Sequence, residues 1–246
     1  MVTLLAAAAS GMEHYQAVID VTGNNLANAN TEAFKVSRVL AQGAPEVQDR
    51  EEPARMGVST TTVDLVFVPG SLAPTGSALD FAISDGAFFR VEDEDGAVLL
   101  TRRGALGSGY GGVVATADGF PLVPRIEVPE GYERLQVDEA GVVTAASPEG
   151  AREELGRIAL VRVPNPGSLE PAGRGLYRTT ENTGVLAEGF PGEDGFAPLA
   201  VGVREASNVV MAQELTTLVI ALRAYQASAR AFSVGDQMIA STTELG

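Results

Sequence analysis

The chain contains no cysteine, no tryptophan and a single histidine, His14. Without cysteine there is no disulfide, no thiolate nucleophile and no thiolate-ligated metal. One histidine cannot complete a metal site, which needs several ligands, and as a general base it lacks a visible partner. Positive charge is also scarce. Only 17 Lys and Arg stand against 32 Asp and Glu, giving a net charge of −15 and a pI of about 4.4. Phosphate backbones and anionic membrane surfaces require clustered cations, so neither is an expected partner. No segment reaches the roughly 18 uninterrupted apolar residues of a membrane span, so no membrane insertion is expected.

What is present is a patterned chain of 246 residues, 45% of them hydrophobic, enough for one large or two modest domains. Its two ends carry the same kind of stripe. Leu5, Ala8, Met12, Tyr15, Ile19, Thr22 and Leu26 recur at alternating three- and four-residue steps. Met211, Leu215, Leu218, Leu222, Tyr225, Ala229, Phe232 and Ile239 do the same near the other end. This is the spacing of a coiled-coil seam. Residues 1–10 are apolar and small, as in a signal peptide, but no Lys or Arg precedes them and the heptad phase runs through them. They are therefore expected to stay as helix.

The spacing predicts a first helix over 3–27, stopped by Gly23, Asn24, Asn25, Asn28 and Asn30. A second is expected to run from a cap at Ser207 or Asn208 to about Ser241. Residues 36–56 are polar and read as a connector, with Arg50, Glu51, Glu52, Pro53 and Arg55. From Gly57 the period changes to two. Strands are expected there and at 78–84, 88–92, 98–101, 113–116, 135–137, 142–145, 158–163 and 176–178. Asp95-Gly96 and Asp118-Gly119 supply tight turns between them. The expected fold is α+β. Terminal helices (1–35 and 202–246) pair as a coiled-coil-like domain, 36–77 is a connector with an extended strand, and 78–201 is an antiparallel β domain.

Candidate chemistry is thin. The acidic run Glu92-Asp93-Glu94-Asp95-Gly96 lacks the spaced oxygens of a calcium loop and reads as a hairpin tip. The glycine-rich Gly107–Gly112 is not followed by Lys and leads into a strand, unlike a phosphate cradle. No catalytic, cofactor-binding or metal-ligating residue is assigned, and the chain is not expected to be an enzyme. The helices carry more apolar surface than one seam uses: Val18, Val21, Val219, Ile220 and Val234 lie off it. A helical hairpin packed on the sheet would cover some of this surface; packing between chains would cover more.

The two ends also carry a resemblance. Asn24-Asn25-Leu26-Ala27-Asn28-Ala29-Asn30-Thr31, with Ala33-Phe34-Lys35, resembles the N-terminal signature of the axial proteins of the bacterial flagellum. Ala206-Ser207-Asn208-Val209, Gln213-Glu214-Leu215, Arg223-Ala224-Tyr225 and Asp236-Gln237-Met238 resemble the C-terminal one. Leu79–Ile83, Phe88–Val91, Thr101–Gly104 and Asp118–Leu122 are similar to the body of the rod proteins FlgF and FlgG, with Ala87 where the family usually has Gly. The short connector, 126–131 and 173–178 favour FlgF, of the proximal rod, over the distal-rod FlgG. The resemblance implies a structural rod subunit without enzymatic activity that transmits torque. It implies export by the flagellar type III apparatus without a cleaved signal peptide, and a place in the extracytoplasmic basal-body rod. The implied partners are other rod proteins and copies of itself, with no cofactor. Assembly contacts are expected at Leu5, Met12, Tyr15, Ile19, Asn24, Asn25, Leu26, Asn28, Leu215, Leu218, Leu222, Tyr225, Phe232 and Ile239. The other reading is a secreted β-domain binding protein with a helical stalk, a glycan its candidate ligand, using Phe88, Phe89 or Tyr110 as its platform.

Overall fold

The computed structural model describes residues 2–43, 58–129, 131–132, 134–147 and 152–244. The charged stretch from Arg50 to Arg55, expected as a connector, lies outside them. The chain divides into a first unit (1–29, 36–66 and 209–246) and a second (30–35 and 67–208).

The first unit holds α1 (Val2–Ala27), β1 (Ser37–Gly43), β2 (Val58–Leu65) and α2 (Met211–Glu244). The helices pack antiparallel. Asn25 bonds to Glu214, Gly11 lies against Ser228, and Leu5 lies against Gly235. The row of α2 that faces α1 is therefore Glu214, Ala221, Ser228 and Gly235, at heptad spacing. This differs by one residue from the expected row. Leu218, Tyr225 and Ile239 are half-buried, but Leu215 and Leu222 are 50% and 42% exposed. The reason is steric. A Cβ on Gly235 would sit 2.8 Å from Leu5 Cδ2, so the small row lets the helix axes approach closely and turns the bulky row outward. A sequence pattern weighs apolar size and favours the leucines; close packing favours the small residues.

The end of α1 follows from its asparagines. Asn28 donates its backbone N–H (3.1 Å) and its side-chain amide (2.9 Å) to Asn24 O, satisfying a carbonyl that the helix end would leave free. β1 and β2 pair antiparallel from Ser37↔Leu65 to Ala41↔Thr61 and beyond, with an irregularity between Gln42 and Gly43. A two-stranded ribbon is marginal alone. This one leans on α1, and Val58 N–H reaches Ser10 Oγ at 3.3 Å. Residues 37–43, expected as connector, are thus a strand.

The strands of the second unit all pair antiparallel, with two short 3-10 turns at Pro166–Ser168 and Glu181–Thr183 among the described residues. Its largest sheet orders six strands as Glu170–Gly173, Leu176–Arg178, Val98–Thr101, Ala87–Glu92, Leu160–Arg162 and Ala187–Gly189. A three-stranded sheet runs Arg152–Arg157, Val142–Ala146, Arg134–Val137. Three further pairs join 199–201 to 81–83, 203–205 to 72–74, and 106–108 to 114–116. Phe81, Ile83, Phe89, Val91, Val143, Leu160 and Leu199 form the centre of the core. Asp95-Gly96 and Asp118-Gly119 turn the chain as expected, with Gly96 and Gly119 at φ +80° and +92°. Ala87 begins a central strand, fully buried and not at positive φ, so alanine serves there without strain.

The start of α2 differs from the expected cap. Val210 O accepts the N–H groups of Gln213 (2.9 Å) and Glu214 (3.1 Å), so neither Ser207 nor Asn208 opens the helix. Asn208 works inside the second unit instead, donating its amide to Val68 O (2.9 Å).

One packing constraint is severe. A Cβ on Gly104 would lie 1.7 Å from Phe81 O, where the chain makes the Phe81 N–H to Gly104 O bond at 2.9 Å. Gly104→Ala should lower the stability of the second unit by about 3 kcal/mol or more, because the obstacle is backbone and cannot rotate away. A urea melt followed by near-UV circular dichroism would read this as a fall in midpoint.

Candidate functional site

Two polar junctions, one in each unit, explain why the signature residues stand where they do. In the first unit Asn25 is fully buried. Its amide N–H donates to Ser37 O (2.9 Å) and to Glu214 Oε2 (3.0 Å), and its Oδ1 accepts from Ser37 N–H (2.9 Å). Glu214, also buried, accepts a second bond from Arg38 Nη1 at 2.6 Å. One asparagine thus ties α1, β1 and α2 together. Asn25 makes three hydrogen bonds within its own unit. Asn24 and Asn28 act together in ending α1.

In the second unit the centre is Glu205, whose carboxylate is buried. Oε1 accepts from Lys35 Nζ and from Gly70 N–H (2.8 Å), and Oε2 accepts from Arg102 Nε (2.8 Å). Lys35 is the only lysine in the chain, and its side chain is fully buried. It also donates to Val68 O at 3.1 Å. Arg102 gives three further N–H groups to backbone carbonyls: Asp85 O and Ala87 O from Nη1 (2.8 and 2.7 Å), and Ile83 O from Nη2 (2.8 Å). The guanidinium also lies 5.6 Å from the Phe88 ring centre. The backbone joins in, as Ala33 N–H reaches Glu205 O at 2.8 Å. Arg204, next in sequence, bridges Asp80 (2.8 Å) and Glu32 (3.4 Å). Burial pushes the Asp80 carboxyl up, but hydrogen bonds from Arg204 and Thr75 more than reverse this and hold it below its usual value.

Two cations against one carboxylate leave a buried positive excess, which the four carbonyls offset. Desolvation lowers the pKa of Lys35 although Glu205 opposes it. Tyr177 packs edge-on against Phe67 and Phe88, with centroids at 5.1 and 6.2 Å. Burial, with the Glu205 charge adding to it, pushes its phenol up to about 12. Among the described residues no three His, Asp or Glu come together as a metal site, and no helix is long and apolar enough to cross a membrane.

The remaining candidates are surface features. Phe88 and Phe89 are buried, at 1% and 0% exposure, so they cannot form the binding platform of the alternative reading. Tyr110 is fully exposed at the tip of the glycine-rich hairpin, alone of that trio. Among the expected contacts on α1, Leu5, Met12, Tyr15, Ile19 and Leu26 are half-buried. The larger exposed apolar surface belongs to α2. Met211, Leu215, Val219 and Leu222 lie on one face, and Ile220, Val234 and Met238 on another. Phe232 is 38% exposed.

Known proteins match this arrangement segment by segment. Residues 5–35 match the family described as flagella basal body rod protein. Residues 82–145 match the flagellar hook protein FlgE/F/G D1 domain, and 200–245 the flagellar basal body rod FlgEFG protein C-terminal region. The rod protein FlgG of Agrobacterium fabrum is 31% identical over 95% of this chain and 95% of its own length. The chain belongs to the flagellar basal-body rod protein family. FlgG of Bacillus subtilis is 30% identical over 100% of this chain and 99% of that protein, and FlgF of Caulobacter vibrioides 32% over 86% and 84%. These names favour FlgG over FlgF, reversing the order expected from the sequence. Members of the family are structural components of the rod, not enzymes, and they assemble with other rod proteins. Part of the FlgF preference rested on the short connector, which includes residues outside those described.

Removing the charge of Glu205 should be costly, since it strands two buried cations. Glu205→Gln is expected to lose about 3–5 kcal/mol of second-unit stability, read as a drop in urea midpoint. The phenol of Tyr177 gives a pH signature. Its folded pKa of about 12 lies above that of the unfolded chain, near 10, so the unfolded state releases the proton first. Stability from this group is intact below pH 10 and falls by about 2 kcal/mol as pH rises to 12. Lys35, with a lowered pKa, acts in the opposite sense. Tyr177→Phe should therefore lose less melting temperature between pH 8 and pH 11.5 than the unaltered protein.

Proposed function

We propose that this chain is a rod subunit that polymerises through α1 and α2, transmits torque, and carries its β unit as an outer layer. The observation that carries the reading is the exposed apolar surface of α2. Leu215 and Leu222 lie half in solvent on a helix whose own partner occupies a different face. A helix left apolar on more than one side is a helix awaiting neighbours. The neighbours are other rod proteins and copies of this chain, and the contact residues are Leu215, Leu222 and Phe232, with Met211 and Val219 beside them. Leu5, Met12, Tyr15, Ile19, Leu26, Leu218, Tyr225 and Ile239 hold the pair that presents them.

The distal-rod, FlgG-like assignment is the better supported by the relatives' names. Export through the flagellar type III apparatus, with residues 1–10 retained, fits the place of Leu5 against Gly235 inside the helix pair. The rod would then lie in the extracytoplasmic part of the basal body.

Leu215→Asp with Leu222→Asp tests the reading. Both changes face solvent in the isolated subunit, so the second unit should keep its urea midpoint. Cells carrying this variant should export the protein, fail to swim and yield no complete rods in basal-body preparations. Normal rods would refute the proposal.

A further inference from the structure

The helix pair has a second outward feature that its own packing does not use. Glu13 and Asp20 of α1 are exposed and lie one heptad apart. Glu13 is two residues from Gly11, which lies against Ser228, and Asp20 two from Thr22, which is buried about three turns along the same side, so each is about 200° round the helix from that side. α1 contains no Lys or Arg, so its outer face is acidic. On α2, Arg223 and Arg230 are exposed and also one heptad apart. Each follows a residue of the α1-facing row, Ala221 and Ser228, by two positions, and so lies on the outer face of α2 by the same geometry. The other charged residues of α2 lie elsewhere: Glu214 is buried, Asp236 sits beside Gly235 on a different face, and Glu244 is at the end. One unit thus presents an acidic pair on one side and a basic pair of equal spacing on the other.

Resting on the assembly reading above, we propose that the outer face of α2 docks on the outer face of α1 of a second copy of this chain. Arg223 pairs with Asp20, and Arg230 with Glu13. Charge complementarity selects the partner, and the register is tightly set. An antiparallel pairing that puts Arg223 opposite Asp20 puts Arg230 opposite Glu13 with no further adjustment. Within a subunit the register is different: Gly11 lies against Ser228, which sets Glu13 level with Gln226. Moving Glu13 from Gln226 to Arg230 is a step of four residues, or about 6 Å along the helix. Each copy is therefore displaced axially from the one before. The contact joins two different faces, so it cannot close as a twofold dimer; with an axial step it propagates as a helix rather than a flat ring. The exposed valines Val219 and Val234 flank the arginines on α2 and supply apolar contact beside the ion pairs.

Charge swaps test this in cells that depend on the chain for swimming, with exported protein measured alongside. Arg223→Glu with Arg230→Glu should lower the yield of complete rods by about tenfold or more, since like charges then face each other. Glu13→Arg with Asp20→Arg should do the same. Combining all four changes should restore swimming, because the pairs re-form with reversed sign. The register is tested by two-residue swaps. Arg223→Glu with Asp20→Arg should swim better than Arg223→Glu with Glu13→Arg. Normal swimming by either double reversal overturns the inference, and so does a fourfold variant as defective as its parents. Failure of Leu215→Asp with Leu222→Asp in the same assay, alongside normal charge variants, would leave the assembly reading standing and remove only this contact. Normal rods from the leucine variant would remove the assembly reading itself.

Discussion

One carboxylate holds three separate stretches of chain. Glu205 lies in the last strand before α2, Lys35 just after α1, and Gly70 at the return from β2, and all three meet at its two oxygens, with Arg102 from the sheet beside them. These stretches are far apart in sequence. Bringing them together costs chain entropy, and burying the ions costs desolvation. The cost is tolerable only because each donor finds an acceptor. Lys35 and Arg102 reach carbonyls as well as the carboxylate, so neither is left with charge unmatched in the core. Glu205 is the member that cannot be spared: without it both cations lose their counter-ion, whereas without Lys35 the carboxylate still has Arg102.

The helix pair obeys a different constraint. A heptad pattern on α2 offers two adjacent rows that could face α1. The bulky row would bury more apolar area. The row of Ala221, Ser228 and Gly235 wins because it permits close approach, and because Glu214 at its head finds Asn25 and Arg38. Polar specificity at one end and small residues along the rest define a single register. The consequence is that the leucines remain outside, and an isolated subunit carries exposed apolar surface on α2.

Much of the fold was legible in the sequence. The two long helices, the period-two strands of the core and both Asp-Gly turns follow from periodicity and turn chemistry. What escaped were strands with little signal of their own: 37–43, 72–74, 106–108, 152–157, 170–173, 187–189, 199–201 and 203–205. They are short or rich in Gly, Pro and charge, and they exist because a partner strand supplies the hydrogen bonds. The site was half legible. Asn25, Lys35 and Glu214 stood out as members of the signatures, but nothing local to Glu205 or Arg102 says that they meet. A buried charge is defined by its distant partners. Leu215 and Leu222 fit a heptad seam yet lie exposed for a similar reason, since side-chain volume is read from one helix and fit needs two.

The two kinds of residue therefore play inverted parts. In a stand-alone domain, polar signature residues usually face solvent or ligand, and leucines face inward. Here Asn25, Glu214, Lys35 and Glu205 are buried, and Leu215 and Leu222 are outside. The inversion accounts for what can and cannot be recognised. A buried asparagine bracketed by two backbone bonds and a carboxylate tolerates no substitute of different shape, so the segments around it read as a motif. An apolar contact face tolerates exchange among Leu, Ile, Val and Met with little loss. It carries periodicity but no distinctive letters. Recognition of the family thus comes from residues that hold the subunit together, while the assembly contacts proposed for α2 fall on residues that only the pattern, and the geometry of the pair, bring to light.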